Sequence, residues 1–360
     1  MQTSLTLTLE HFAARQARAA RPQAGRRAAG LTGRARCAFA LLVVCACLVG
    51  SLAGGVDVAA ATTFDVNDTS DIVDANVGDG VCDADLVTDG DQCTFRAATQ
   101  EANFDTDSTD TINVPEGTYA LTIPAPPPAF EESLEEDEAH GDLDLKGQVN
   151  VIGAGTGKTI IDAAGAADRG LHIIDVQGCE SPGNDDPQWG DFCTLSGITV
   201  TNGHPQSIPD GALPPGKGCS QFLGPGQGNS APCPDGGGML ISCCNMAITD
   251  ISADHNEGRD GGGITAFGTF YKFNFVSASD NTARASGGGV FMNGATIQHI
   301  LCLSALRNEA LGTEDGNNGS GDGGGLLFAG NTLYDVKFAT ADDNTAASRG
   351  GGMFANGDTD

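Results

Sequence analysis

A glycine triplet followed by an apolar residue occurs five times from residue 236 onward: Gly236-Gly237-Gly238-Met239, Gly261-Gly262-Gly263-Ile264, Gly287-Gly288-Gly289-Val290, Gly323-Gly324-Gly325-Leu326 and Gly350-Gly351-Gly352-Met353. The steps between them are 25, 26, 36 and 27 residues, and the long step contains a polar stretch, Gly312 to Gly321, that reads as a surface loop. Asn256, Asn281 and Asn344 stand five or six residues before a triplet, and Asp280-Asn281-Thr282-Ala283 recurs unchanged as Asp343-Asn344-Thr345-Ala346. Between triplets run short alternating segments such as Phe273-Asn274-Phe275-Val276 and Leu333-Tyr334-Asp335-Val336-Lys337-Phe338. They are too short for helices, rich in β-branched and aromatic residues, and bounded by turn residues. Self-similarity at this period implies stacked units that share one core. The expected fold is all-β: a right-handed parallel β-helix (β-solenoid) whose coils pair at a spacing of roughly 4.8 Å. Gly263, Gly289, Gly325 and Gly352 are expected at one recurring turn. Asn256, Asn281 and Asn344 are expected to form an amide ladder at another.

Residues 1–61 read as an export segment. Arginines from Arg15 to Arg36 precede an apolar run, Cys37 to Ala53, and Ala59-Ala60-Ala61 offers small residues for cleavage. The whole chain carries a formal charge of −29, and the remainder is more acidic still because the leader holds so many arginines. Such a surface repels phosphate backbones, which excludes nucleic acid as a partner and admits cations. The reading places the protein outside the cell or on its surface, with no membrane span in the mature chain. In that oxidising setting the local cysteine pairs Cys82/Cys93, Cys179/Cys193 and Cys219/Cys233 are expected to staple loops. Cys243, Cys244 and Cys302 then leave an odd thiol.

Residues 62–123 have a different texture. Asp74 to Cys93 is acidic and loop-like, and Thr94 could cap a short helix in which Phe95, Ala98 and Ala102 share a face. Extended runs follow at Thr111 to Val114 and Tyr119 to Ile123. A solenoid end exposes strand edges and core, so a helix laid over the first coil would serve as a cap. Asp74-Ala75-Asn76, Gly78-Asp79-Gly80-Val81-Cys82, Cys93-Thr94-Phe95-Arg96-Ala97-Ala98 and Gln100-Glu101-Ala102-Asn103 resemble the CSLREA domain that heads many bacterial cell-surface proteins. Thr94, Phe95 and Ala97 replace the Ser, Leu and Glu of its naming segment. The resemblance implies an N-terminal cap and first coil over 62–123, with Cys82–Cys93 as its disulfide, and implies no reaction. Val151 to Gly155 and Cys193 to Gly203 resemble the early coils that follow such domains. The triplet coils resemble polymorphic outer-membrane protein repeats. A Pro-rich acidic loop is expected at 124–142, then the β-helix over 143–360 with a long loop at 204–235. The chain stops eight residues past the last triplet without a cap, which reads as a fragment or as an edge that makes end-to-end contact.

Several segments invite chemistry. Gly153-Ala154-Gly155-Thr156-Gly157-Lys158-Thr159 lacks the first glycine of a phosphate loop and reads as a turn. Asp185-Asp186 echoes the paired carboxylates of pectin-hydrolysing β-helices, but Gly203-His204-Pro205 spoils the companion motif, leaving a stapled acidic loop. Asp74, Asn76 and Asp79 present oxygen ligands at alternating spacing, as a calcium site would. Asp260 and Asp322 precede triplets in the manner of calcium-roll repeats, without the nonapeptide period. Arg259 and Arg284 each follow a repeat Asn by three and are expected to stack on one turn. No complete catalytic constellation emerges. The expected function is therefore a secreted or cell-surface structural or adhesion protein that contacts extracellular polysaccharide or cell-surface components. The alternatives are an extracellular polysaccharide lyase or hydrolase, and a non-catalytic glycan- or calcium-binding module.

Overall fold

The protein is seen in a computed structural model that describes residues 61–104, 109–125, 138–146, 149–166, 168–174, 193–205, 235–314 and 321–356. The export segment, save Ala61, lies outside the described residues, as do most of the 124–142 and 204–235 loops. Strands dominate, one α-helix accompanies them, and every strand pairing among the described residues is parallel. The main sheet runs in the order Thr63–Asp65, Asp110–Val114, Val149–Gly153, Cys193–Thr201, Met239–Asp254, Ile264–Ser279, Val290–Asn293, Leu326–Ala329 and Met353–Asn356, and it curls into a half-barrel. The glycine-containing segment Gly153 to Thr159 is a turn leading into the strand Thr159–Asp162, not a helix.

Register converts the sequence repeat into layers. Met239 lies beside Ile264, Ile264 beside Val290, Val290 beside Leu326 and Leu326 beside Met353. The residue after each triplet therefore sits directly over the residue after the next. A smaller ladder joins Glu257–Gly258, Thr282–Ala283, Glu309–Ala310 and Thr345–Ala346. Alternation along Ile264–Ser279 sends Ile264, Ala266, Phe273, Val276 and Ala278 into the main core. Phe267 faces the other way, into a second apolar row with Leu240, Phe291 and Leu327.

The triplets work by close approach. A Cβ on the middle glycine would collide with backbone of the next layer: at Gly262 with Gly288 O and Thr282 O, at Gly288 with Gly324 O and, at 2.7 Å, Glu309 O. A Cβ on the third glycine would meet an asparagine amide, 2.8 Å from Asn281 Nδ2 at Gly263 and from Asn308 Nδ2 at Gly289. Gly288→Ala should therefore destabilise by about 3 kcal/mol, because the obstacle is backbone that cannot turn aside. Gly294 has open space around its Cβ position and a φ of +62°. Gly294→Ala should cost only the left-handed strain, about 1–2 kcal/mol. Urea midpoints of the two variants would separate the effects, and equal shifts would refute the packing argument.

The helix Phe95–Phe104 differs from the one-faced amphipathic helix expected. Thr94 caps it, its Oγ1 accepting from Ala97 N at 3.0 Å. Residues Phe95 to Ala102 are all buried, including Arg96, Thr99, Gln100 and Glu101. The polar face is covered by backbone that needs it. Glu101 accepts from Gly78 N (2.6 Å) and Gly80 N (2.8 Å), and Gln100 Oε1 accepts from Asp74 N (2.7 Å). Burial pushes the Glu101 carboxyl up, against the pull of those two N–H groups. Arg96 donates from Nε to Asp71 Oδ1 at 2.6 Å and from its two Nη atoms to the carbonyls of Glu138, His140, Gly141 and Asp142. One guanidinium thus fixes the chain entering the strand Leu143–Lys146.

Candidate functional site

Two columns of polar side chains run along the stacked layers. The first is an amide ladder of four asparagines. Asn256 N donates to Asn281 Oδ1 at 2.9 Å, Asn281 N to Asn308 Oδ1 at 2.9 Å, and Asn308 N to Asn344 Oδ1 at 2.8 Å. Each Nδ2 of the first three also reaches the next Oδ1, at 3.0, 2.9 and 2.9 Å. The same nitrogens donate to the carbonyls of Val200, Ala253 and Ala278 on the neighbouring strand. Asn308 completes the expected set of Asn256, Asn281 and Asn344. Spacing to the next triplet hid it, because the inserted loop lies between, but the apposition of Asn308-Glu309-Ala310 with Asn281-Thr282-Ala283 would have found it. The residue before each, His255, Asp280, Arg307 and Asp343, has φ between +53° and +60°.

The second column precedes the triplets. Asp235, Asp260 and Asp322 have buried side chains. Arg259 grips Asp235 with two hydrogen bonds, Nε to Oδ1 at 2.9 Å and Nη2 to Oδ2 at 3.1 Å. Asp260 Oδ1 accepts from Ser286 N at 3.1 Å, and Asp322 Oδ1 from Arg349 Nε at 3.0 Å. Burial pushes the Asp235 carboxyl up, and Arg259 opposes it. The calcium-roll positions Asp260 and Asp322 thus serve arginine and backbone here. Arg259 and Arg284 do share a register position, with Arg284 N bonding Gly258 O and Ala285 N bonding Arg259 O. Their side chains diverge, Arg284 reaching Glu257 (3.1 Å) and Glu314 (3.0 Å) instead.

At the start of this second column stands a tighter constellation. The strands Leu143–Lys146 and Leu171–Ile174 pair in register, with Asp144 beside His172. Leu143, Leu145, Leu171 and Ile173 fill the core, so alternation turns Asp142, Asp144 and His172 to the other side. All three are nevertheless buried. His172 Nδ1 lies 3.1 Å from Asp144 Oδ1, and Arg169 Nη1 lies 3.3 Å from Asp142 Oδ2 and 3.5 Å from His172 Nδ1. One potential ligand atom from each of Asp142, Asp144 and His172 falls within 4.8 Å of the others. Arg96 holds the Asp142 carbonyl, while Asn103 accepts from Lys146 N (2.8 Å) and donates to Asp144 O (2.6 Å). The sequence signal was the polar residue at every second place of Asp142-Leu143-Asp144-Leu145 and within Leu171-His172-Ile173. A boundary drawn at Asp142 had divided the first of these.

The expected calcium ligands sit in the loop beneath the helix. Asp74 Oδ1 accepts from Asn76 N at 2.7 Å and Oδ2 from Asp83 N at 2.9 Å. Asn76 turns its Nδ2, a donor, toward Asp79 Oδ2 at 2.8 Å, and Asp79 Oδ1 accepts from Val81 N at 2.9 Å. These carboxylates therefore shape the loop's own turns. Cys82 and Cys93 are joined in a disulfide. Cys193 is buried and Cys302 is a half-buried free thiol. Cys179, Cys219, Cys233 and the Asp185-Asp186 pair lie outside the described residues.

No family model, curated protein or solved structure matches this chain. Among the described residues, no helix is long and apolar enough to cross a membrane.

Proposed function

We propose that this chain is an exported structural or adhesive protein of a cell surface, a right-handed parallel β-helix closed at its N-terminal end by a CSLREA-type cap. The observation that carries the reading is the amide ladder Asn256–Asn281–Asn308–Asn344, lying against the third glycine of each of the first four triplets. The most repetitive residues of the sequence are spent on stacking one layer on the next, which stiffens a rod. Parallel strands joined by crossovers within one sheet take the right-handed sense almost without exception. The helix, buried from Phe95 to Ala102 and clasped through Arg96 and Glu101, supports the capping role. A disulfide, abundant acidic charge and a basic-then-apolar leader support export.

One outer face favours a glycan-contacting version of the same reading. Tyr271 and His299 meet edge to face at 5.7 Å, and Asp335 lies 3.3 Å from His299 and 3.5 Å from Lys337. Rings beside charged hydrogen-bonding groups suit a sugar surface. The test is to shave intact producing cells with protease and to incubate the purified full chain with uronate-rich and neutral polysaccharides. Peptides released by shaving, and polysaccharide retained without new reducing or unsaturated ends, are the expected results. Recovery of the chain solely inside cells would overturn the location. Catalytic product release would overturn the structural reading in favour of a lyase or hydrolase.

A further inference from the structure

The Asp142–Asp144–His172 constellation contains a contradiction in its hydrogen bonding. Arg169 Nη1 is a donor only, so its approach to His172 Nδ1 at 3.5 Å calls for a lone pair on that nitrogen. Asp144 Oδ1, at 3.1 Å from the same Nδ1, calls for a proton there unless the carboxyl is itself protonated. One ring nitrogen cannot meet both demands with the carboxylate ionised. All three side chains of the constellation are buried.

We propose that Asp142, Asp144 and His172 bind one divalent transition-metal ion of the zinc type. The donor set, two carboxylate oxygens and one imidazole nitrogen, is one that zinc accepts, with a fourth position for water. Tetrahedral ligands at about 2.1 Å from a zinc ion stand roughly 3.4 Å apart. The Asp144 and His172 atoms already stand 3.1 Å apart, and the spread of all three within 4.8 Å closes with small side-chain rotations. The ion takes the lone pair of Nδ1 and both carboxylates, which removes the conflict. Arg169 then leaves Asp142 and keeps Asp168, whose Oδ1 is 4.0 Å from its Nη2. Two backbone clamps hold the ligands' strand in place without the ion: Arg96 on the Asp142 carbonyl and Asn103 on Asp144 O and Lys146 N. The site would fasten the first layers together, a structural use of metal that is independent of the surface-rod reading.

The test uses the full chain with its thiols alkylated, so that cysteine cannot compete, and zinc chloride as the probe. Selective ¹⁵N labelling of histidine reads the six imidazoles directly. The expected result is saturable uptake of one equivalent, with the Nδ1 resonance of His172 displaced and that ring identified by its loss in His172→Gln. Asp142→Asn and Asp144→Asn, near-isosteric and checked for native circular dichroism, should each weaken binding roughly 100-fold or more. Uptake that displaces no histidine resonance, uptake that survives both substitutions, or no uptake at all would overturn the proposal. Whether any imidazole is displaced is read on the unsubstituted chain, so a substitution that fails to fold still leaves a measurement that can overturn the proposal.

Discussion

Asn281→Leu should lower the unfolding free energy by about 3–5 kcal/mol, because it strands buried polar groups on both sides of the substitution. Asn281 Oδ1 accepts from Asn256 N and Asn256 Nδ2, and its own Nδ2 donates to Ala253 O and Asn308 Oδ1. Leucine matches the volume, so a cavity contributes little and the loss reports hydrogen bonding. Asn281→Asp offers a sharper version: it keeps the acceptor toward Asn256 but turns two donor contacts into oxygen facing oxygen. It should therefore be at least as damaging as leucine at neutral pH, and should recover partly as the pH falls and the carboxyl gains a proton. Thr332→Ala, at an exposed position, is the control and should stay within about 0.5 kcal/mol of wild type. Denaturant midpoints for the three variants decide the matter. A shift below 1 kcal/mol for Asn281→Leu would mean that the amides do not form a continuous ladder.

The second large effect is expected at Arg96. Its side chain is essentially inaccessible, and Asp71, also buried, accepts from it and from Thr122 N (2.6 Å) and Ile123 N (2.9 Å). Arg96→Met keeps the stem and removes the charge, leaving the Asp71 carboxylate and four carbonyls without their guanidinium. A loss of about 3–5 kcal/mol is expected, the usual consequence of deleting one partner of a buried ion pair. Removing the second partner as well should relieve part of it. The double variant Arg96→Met/Asp71→Asn should unfold at a higher denaturant concentration than Arg96→Met alone. If the double variant is the weaker of the two, the damage comes from the carbonyls of residues 138–142 rather than from the stranded carboxylate. Arg96→Lys cannot reach all of those carbonyls, since an ammonium lacks the planar fork, and should rescue only in part.

The legible and illegible parts of this protein divide along a physical line. The layer spacing was legible because a glycine that must pass close to backbone has no substitute, so the five triplets mark the same place in each layer. The helix and its Thr94 cap were legible because capping and composition act within a few residues. Asn308 was obscured by the insertion that separates it from its triplet, although its local sequence matched its ladder partners. The burial of the helix's polar face was not legible: Glu101 meets Gly78 and Gly80, and Arg96 meets residues 138–142, across gaps that no local pattern spans.

The candidate metal cluster shows the limit most plainly. By itself the sequence determined the repeat, the strand-rich parallel character, the acidic surface and the disulfide-bearing loop, because those follow from short-range sterics, periodicity and charge. Only the tertiary structure decided that Asp144 lies beside His172, that Arg169 intrudes between Asp142 and the imidazole, and that all of them are buried. The reason is register. Pairing of strands 28 residues apart sets which outward-facing side chains become neighbours, and that pairing is chosen by the core-facing leucines and isoleucines, not by the polar groups it brings together.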